Sequence, residues 1–278
     1  MNFWETQGHK TVKNLLAKQL ETKKFPHAYL FLGPKAVGKR STALEFAKKV
    51  LGTEKLEVHP DFLCIEENGE ILLEETLNFI SKLAFKPFFA KKKVGIIHNA
   101  QNLNRQSANA LLKTLEEPSE STIIILLSNS KSLLPTIVSR CQVLNFNSFS
   151  NRQMQEIAKE KNISTDETKL VLSGGSIEKL IALSGNNAEF LEEQNLTQKF
   201  EELKQGKLAE RILAIPAYAK METIELEKTF LSWINWQKHQ LKEKPEEYKS
   251  IGFLFTALGK LKTNQNKKLI LQNLFINI

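Results

Sequence analysis

Residues 33–41 read Gly-Pro-Lys-Ala-Val-Gly-Lys-Arg-Ser, which fits all but the last position of the phosphate-cradling pattern G-x-x-x-x-G-K-[ST]. Glycines at that spacing allow a tight backbone path whose N–H groups can surround phosphate oxygens. Lys39 would reach the outer phosphates of a nucleotide, and a helix starting there adds its positive N-terminal end. Gly33, Gly38 and Lys39 are thus candidate nucleotide-binding residues. Arg40 stands where a hydroxyl should bind magnesium, and a cation there repels the metal. Ser41, the remaining candidate, comes one residue late, which on a helix turns it by roughly 100°.

A second position fails in the same direction. Residues 94–97 form a short apolar run suited to a central strand. In ATP-hydrolysing P-loop proteins such a strand ends in carboxylates that hold magnesium and activate water. Here it ends in His98 and Asn99. Asn99 is no general base, and a neutral imidazole is a poor magnesium ligand. With two magnesium-handling positions altered together, ATP hydrolysis by the chain alone is not expected and no cofactor is required. Weak ATP or ADP binding and a loop kept only as fold architecture both fit the motif.

The elements that must position these residues follow from periodicity. A helix is predicted over 8–22, with Val12, Leu15, Leu16 and Leu20 at helical spacing. A strand at 27–33 leads into the glycine loop, and a helix follows to a stop at Gly52. Further strands are predicted at 61–65, 93–98, 122–128 and 141–146, with helices at 72–84 and 103–116. That alternation implies an α/β fold with a mainly parallel sheet covered on both faces. After Phe149 the strand signals stop. A small helical unit with a turn at Ser173–Ser176 is followed by more helix, broken near Gly206, Pro216 and Pro245. The predicted domains are 1–148, 149–188 and 189–278.

Composition narrows the function classes. The 278 residues carry a formal net charge of +8, compatible with a nucleic-acid neighbourhood and equally with a lysine-rich surface. No basic stripe with interleaved aromatics is evident. The clusters at 90–93 and 266–268 read as solvated, and Phe230, Trp233 and Ile234 as either core or partner surface. No apolar run is long enough to span a membrane, so a cytoplasmic protein without membrane contact is expected. The two cysteines, Cys64 and Cys141, read as small core residues. His59 lies near Cys64 without enough further ligands for zinc, so no metal site is expected.

The stretch 104–142, "NRQSANALLKTLEEPSESTIIILLSNSKSLLPTIVSRCQ", together with "FPHAYLFLGPKAVGKR", "HPDF" and "KPFFAKKKVGII", resembles the delta-prime family of bacterial clamp-loader AAA+ proteins. The likeness covers residues 7–186; the rest matches only in length, helicity and its "LILQNLF" ending. The resemblance implies an AAA+ ATPase-like domain, a helical lid and a helical collar that assembles a hetero-pentameric ring with gamma/tau and delta subunits. Such a ring places the sliding clamp on primed DNA as part of the DNA polymerase III holoenzyme. It further implies a stator with a damaged ATP site, which supplies Arg140, in "SRC", as an arginine finger to the neighbouring gamma/tau site. A planar cation presented to a γ-phosphate suits that role.

Departures from the family pattern point the same way. Glu178 in "GGSIEKL" replaces the lid arginine, while Ser128 and Asn129 fall near the strand-end polar sensor. The four-cysteine zinc module of many relatives is absent between the loop helix and "HPDF". Two other functions stay open on the residues alone. One is an active clamp-loader-type ATPase with its magnesium shell rebuilt from Ser41 or His98. The other is a DNA-binding module on this scaffold.

Overall fold

The computed structural model describes residue 4 and residues 8–67, 69–130, 133–241, 248–261, 263 and 265–278. The chain divides into two compact units, Met1–Phe149 and Ser150–Ile278.

In the first unit, α1 (Lys10–Thr22) precedes β1 (Ala28–Leu32), α2 (Lys39–Leu51), β2 (Phe62–Ile65), α3 (Leu73–Ala84) and β3 (Lys93–Ile97). A 3-10 turn (Ala100–Asn102), α4 (Arg105–Glu116), β4 (Thr122–Ser128), α5 (Pro135–Val138) and β5 (Gln142–Asn145) follow. The five strands form one parallel sheet in the order β2-β3-β4-β1-β5. Period-2 alternation sends Tyr29, Phe31, Ile96 and Ile125 into a core shared with α1 and α2. Their neighbours Leu30, Ile97, Ile124 and Leu126 enter a second core with α3, α4 and α5. Burial on both faces explains why β3 and β4 read as continuous apolar runs. The predicted α/β class is therefore the observed one, and all described strand pairs are parallel.

The regular elements among the described residues of the second unit are all helices. It comprises α6 (Asn151–Glu160), α7 (Glu167–Leu172), α8 (Ile177–Gly185), α9 (Asn187–Gln205) and α10 (Leu208–Ala219). These are followed by α11 (Thr223–Gln240), α12 (Tyr248–Leu261) and α13 (Lys267–Asn277). The core forms around Trp233, whose ring stacks on Phe200 at 4.9 Å and whose Nε1 donates to the Leu196 carbonyl at 2.8 Å. Phe230 and Ile234 are buried with it, so that stripe is core.

Three expectations need correction. Pro216 does not break the chain but lies inside α10. Its neighbours Ile215 and Tyr218 are buried, while Pro216 and Ile212 face outward. The carbonyl that loses its N–H partner therefore faces water, and packing of the opposite side holds the helix. The break predicted at Pro245 lies outside the described residues. Cys64 and Cys141 are half-buried, packed against the margins of the two cores rather than fully inside them. The third, the supposed lack of aromatics among basic residues, fails at 85–92, where three phenylalanines stand exposed between lysines. Among the described residues no helix is long and apolar enough to cross a membrane.

Candidate functional site

The glycine loop joins the C-terminal end of β1 to the start of α2, the placement a phosphate cradle needs. Gly33 donates its N–H to the Ser128 carbonyl at 3.2 Å, and a Cβ there would lie 1.9 Å from the Phe146 carbonyl oxygen. Only glycine lets β1 leave the sheet this close to the chain beyond β5. Gly38, the N-cap of α2, has φ +90°, a conformation that L side chains rarely adopt. His9 braces the loop from outside the motif. Its Nε2 lies 2.7 Å from the Val37 carbonyl and its ring packs on Phe146 and Phe149. Burial holds the His9 pKa below its ordinary value, which favours the neutral form.

Lys39 is buried, and its ammonium donates to the Gly33 carbonyl at 2.7 Å, the Pro34 carbonyl and Asn129 Oδ1 at 2.9 Å. The lysine thus folds back onto its own loop, and Asn129 sits at the strand-end sensor position that the sequence suggested. Asn129 in turn donates to Asn99 Oδ1 at 3.1 Å, and its backbone N–H donates to Gln101 Oε1 at 3.1 Å. Ser128 Oγ donates to the same Gln101 oxygen at 3.1 Å. Asn99 adopts φ 49°, a left-handed conformation that asparagine tolerates better than most residues. Neutral amides therefore interlock where a hydrolase would place carboxylates.

Arg40 points to the other side of the α2 N-terminus. Its Nη2 donates to Glu66 Oε1, just past β2, at 2.7 Å. His98 Nε2 lies 3.6 Å from the same carboxylate oxygen, too far for a hydrogen bond. The Arg40 hydrogen bond holds the Glu66 carboxyl below its usual range. Burial lowers the His98 pKa, with Arg40 adding to the effect and Glu66 opposing it, which favours a neutral imidazole. Ser41 is exposed in the first turn of α2.

Cys64, Glu66 and His98 bring possible ligand atoms within 4.8 Å of one another. The set fits a metal poorly. Arg40 already engages the carboxylate, and burial with the Glu66 charge pushes the Cys64 thiol up to about 12, keeping it protonated.

Arg140 lies in the turn between α5 and β5, at the other end of the sheet. Gln142 pairs with Tyr29, and Gly33 is four residues further along, about 13 Å at strand spacing. The guanidinium donates to Glu116 Oε1 at 2.8 Å through Nη2 and to the Thr136 carbonyl at 2.9 Å through Nη1. A third of its side chain remains exposed. Parallel strands put the loop at their C-terminal ends and Arg140 at their N-terminal ends, so the two do not meet within one chain. In the second unit, Glu178 is exposed in the first turn of α8, behind the N-cap Ser176.

Sequence reasoning found Lys39, Arg40, His98, Asn99, Asn129 and Arg140 but not their remaining partners. Glu66, Gln101 and His9 belong to no motif, and only the parallel topology brings them to the loop.

The family described as DNA polymerase III, delta subunit, matches residues 8–150. The DNA polymerase III subunit delta' of Bacillus subtilis is 30% identical over 215 residues, 70% of this chain and 65% of that protein. Subunit tau of the same organism is 34% identical over 193 residues, 63% of this chain and 34% of that protein. The Pseudomonas aeruginosa subunit delta' is 34% identical over 135 residues, 41% of each chain. The match thus spans less than two thirds of each of these relatives. Among solved structures, a DNA polymerase III gamma subunit-related protein of Thermotoga maritima aligns over 95% of this chain and 97% of its own. Its TM-score is 0.50 at 21% identity, a likeness of fold. The Thermotoga maritima RuvB Holliday junction branch migration motor gives 0.50 at 18% identity over 64% of this chain and 61% of its own.

Proposed function

The chain belongs to the DNA polymerase III delta-subunit family, and from that premise we propose that it is a non-hydrolysing subunit of the replicative clamp loader. Its relatives named delta' and tau are similar to it at comparable identity. The choice between a hydrolysing and a non-hydrolysing subunit therefore rests on the site.

One observation carries the reading: the 2.7 Å ion pair between Arg40 and Glu66. A guanidinium and its counter-ion stand beside the first turn of α2, in place of the hydroxyl and metal that a hydrolase needs. His98 and Asn99 beside them supply neither a magnesium ligand of the right kind nor a base. The loop itself is well formed, so weak nucleotide binding through Lys39 and the backbone N–H groups is compatible with this reading, without magnesium. No zinc is required.

The useful cation lies elsewhere. Arg140, at the opposite end of the sheet from its own loop, is suited to complete a site on a neighbouring chain. In this reading it faces the nucleotide of gamma/tau in a hetero-pentameric ring that also contains delta. There it stabilises the charge that develops as the γ-phosphate is transferred. Glu116 holds the guanidinium in the unassembled chain and is exchanged for phosphate on assembly. The ring loads the sliding clamp onto primed DNA, and this chain contributes geometry and one arginine.

The experiment is ATP hydrolysis by the purified chain with magnesium, alone and with gamma/tau. Turnover by the isolated chain that Lys39→Ala abolishes would establish a working site and overturn the proposal.

A further inference from the structure

At one edge of the sheet β2 pairs with β3 and, among the described residues, with no other strand. Asp61 and Ile65 turn their carbonyls to β3, accepting from the Val94 and His98 N–H groups at 2.9 Å. The backbone alternates along a strand, so the N–H and carbonyl of Cys64 point out of the sheet. The Phe62 carbonyl and the Glu66 N–H share that direction. Phe62 marks the phase, since its own N–H turns back to the His59 carbonyl at 3.0 Å. No described residue engages the Cys64 backbone groups. An edge left in this state is a template for another extended chain.

Between this edge and α3 runs a groove of about 220 Å³, with Leu63 and Phe79 as its apolar lining. That is below the size of a small-molecule site but has room for side chains. Its two ends differ in charge. Lys82 stands where β2 begins, because its carbonyl accepts from Lys93 Nζ at the start of β3. Glu66 and Glu67 follow the end of β2, and Glu75 faces them from the first turn of α3. The acidic surface continues in the exposed Glu70 and Glu74. Residues 56–81 hold no lysine or arginine, in a chain whose net charge is +8.

Charge selects the occupant. Carboxylates repel a nucleic acid, and a second copy of this chain would set the same acids against themselves. Nor do the carboxylates converge on a cation. Glu66 is held by Arg40 at 2.7 Å, and Glu75 accepts from the Leu72 N–H at 3.1 Å. A cationic extended peptide meets both features, with main-chain bonds to the edge and positive side chains toward the glutamates.

We propose that the β2 edge and its groove bind an extended, lysine- or arginine-bearing segment of another protein, which adds to the sheet as a further strand. Neither Arg140 nor the glycine loop takes part, so this site stands whether or not the chain is a loader subunit. The full chain is titrated with a short peptide of alternating lysine and valine, followed by fluorescence anisotropy and by backbone amide hydrogen exchange. Binding should weaken with salt and should slow exchange at Cys64 and Glu66 by about tenfold or more. Leu63 and Ile65, which face β3, should change little. Glu67→Lys with Asn78→Lys, both exposed, should leave the thermal midpoint unchanged and weaken binding about tenfold, whereas Glu120→Lys should not. A glutamate–valine peptide should not bind. A lysine–proline peptide of equal charge lacks alternate N–H donors and should bind at least tenfold more weakly. Equal binding of the lysine–proline peptide, or binding without protection at Cys64, would show charge attraction alone and overturn strand addition. Protection that appears as the chain is concentrated without peptide would assign the edge to a second copy. That result, or absence of binding, overturns the proposal and leaves the loader reading untouched.

Discussion

Arg40 Nη2 and Glu66 Oε1 are 2.7 Å apart, and the pair links the first turn of α2 to the chain just beyond β2. Both side chains are about half exposed, so the pair contributes little to stability. Its consequence is chemical: a fixed positive charge stands beside the phosphate loop. Nucleotide binding by the wild-type chain should therefore be insensitive to magnesium. Arg40→Ser should make it magnesium-dependent without creating turnover, because His98 and Asn99 still supply no carboxylate. Calorimetric titration of ADP with magnesium or with EDTA checks this. Magnesium-strengthened binding to the wild type would contradict it.

His98 gives the site a pH signature. Its pKa lies below the ordinary 6.5 in the fold, so the imidazole's contribution to stability is fully present above 6.5 and is lost as pH falls from there through the lower folded-state pKa. NMR titration should find His98 neutral at pH 7. Glu66→Gln should lower its pKa further, because the carboxylate is the one partner that favours protonation. A rise on that substitution would show that Arg40, not Glu66, governs the imidazole.

Asp61 sets the loop at 85–92, accepting hydrogen bonds from the backbone N–H groups of Phe88, Phe89 and Ala90. Burial alone would raise its pKa, but the three backbone donors outweigh burial and hold the carboxyl below its usual range. Its stabilising effect is accordingly present above about pH 4 and is lost as acid protonates it. Asp61→Asn keeps the shape but loses a charged acceptor, and should cost about 2 kcal/mol in chemical denaturation at pH 7. A cost near zero would mean that the loop is held by its lysines instead.

In the second unit, Lys179 Nζ of α8 lies 2.8 Å from Glu193 Oε1 of α9, while Glu193 Oε2 accepts from Ser232 Oγ of α11 at 2.7 Å. The lysine contact is ionic rather than a well-aligned hydrogen bond, since Oε1 has no partner of good geometry. Glu193 is fully buried. Lys179→Ala should therefore cost roughly 3 kcal/mol by stranding the carboxylate, and adding Glu193→Gln should recover part of it. Additive losses in the double variant would contradict a coupled pair.

These pairs show where sequence reasoning stops. The strands were legible because a sheet buried on both faces demands continuous apolar runs, as in Ile123–Leu127. Arg40 and His98 were legible as departures from a motif, since a motif fixes which atoms must be present. Glu66, Gln101 and Asp61 were not, because each acts across a sequence gap that only the parallel topology closes. The cluster at 90–93 read as merely solvated, and the exposed rings of Phe88 and Phe89 before it went unread, because nothing local signals that the distant Asp61 fixes that backbone. Pro216 misled for the opposite reason, a strong local signal overridden by packing on the far side of its helix.

The central claim is that Arg140 acts in trans, and one measurement bears on it most directly. ATP hydrolysis is compared for loaders reconstituted with the wild-type chain, with Arg140→Ala and with Arg140→Lys, in the presence of clamp and primed DNA. All three should assemble. Both variants should lose about 10- to 1000-fold at the one site the arginine serves, so that total turnover falls in part, and lysine should not rescue it, because it lacks the planar fork. Glu116→Ala, which removes only the guanidinium's resting partner, should change turnover far less. Normal turnover in the Arg140→Ala loader would contradict the account and leave Arg140 a surface arginine paired with Glu116.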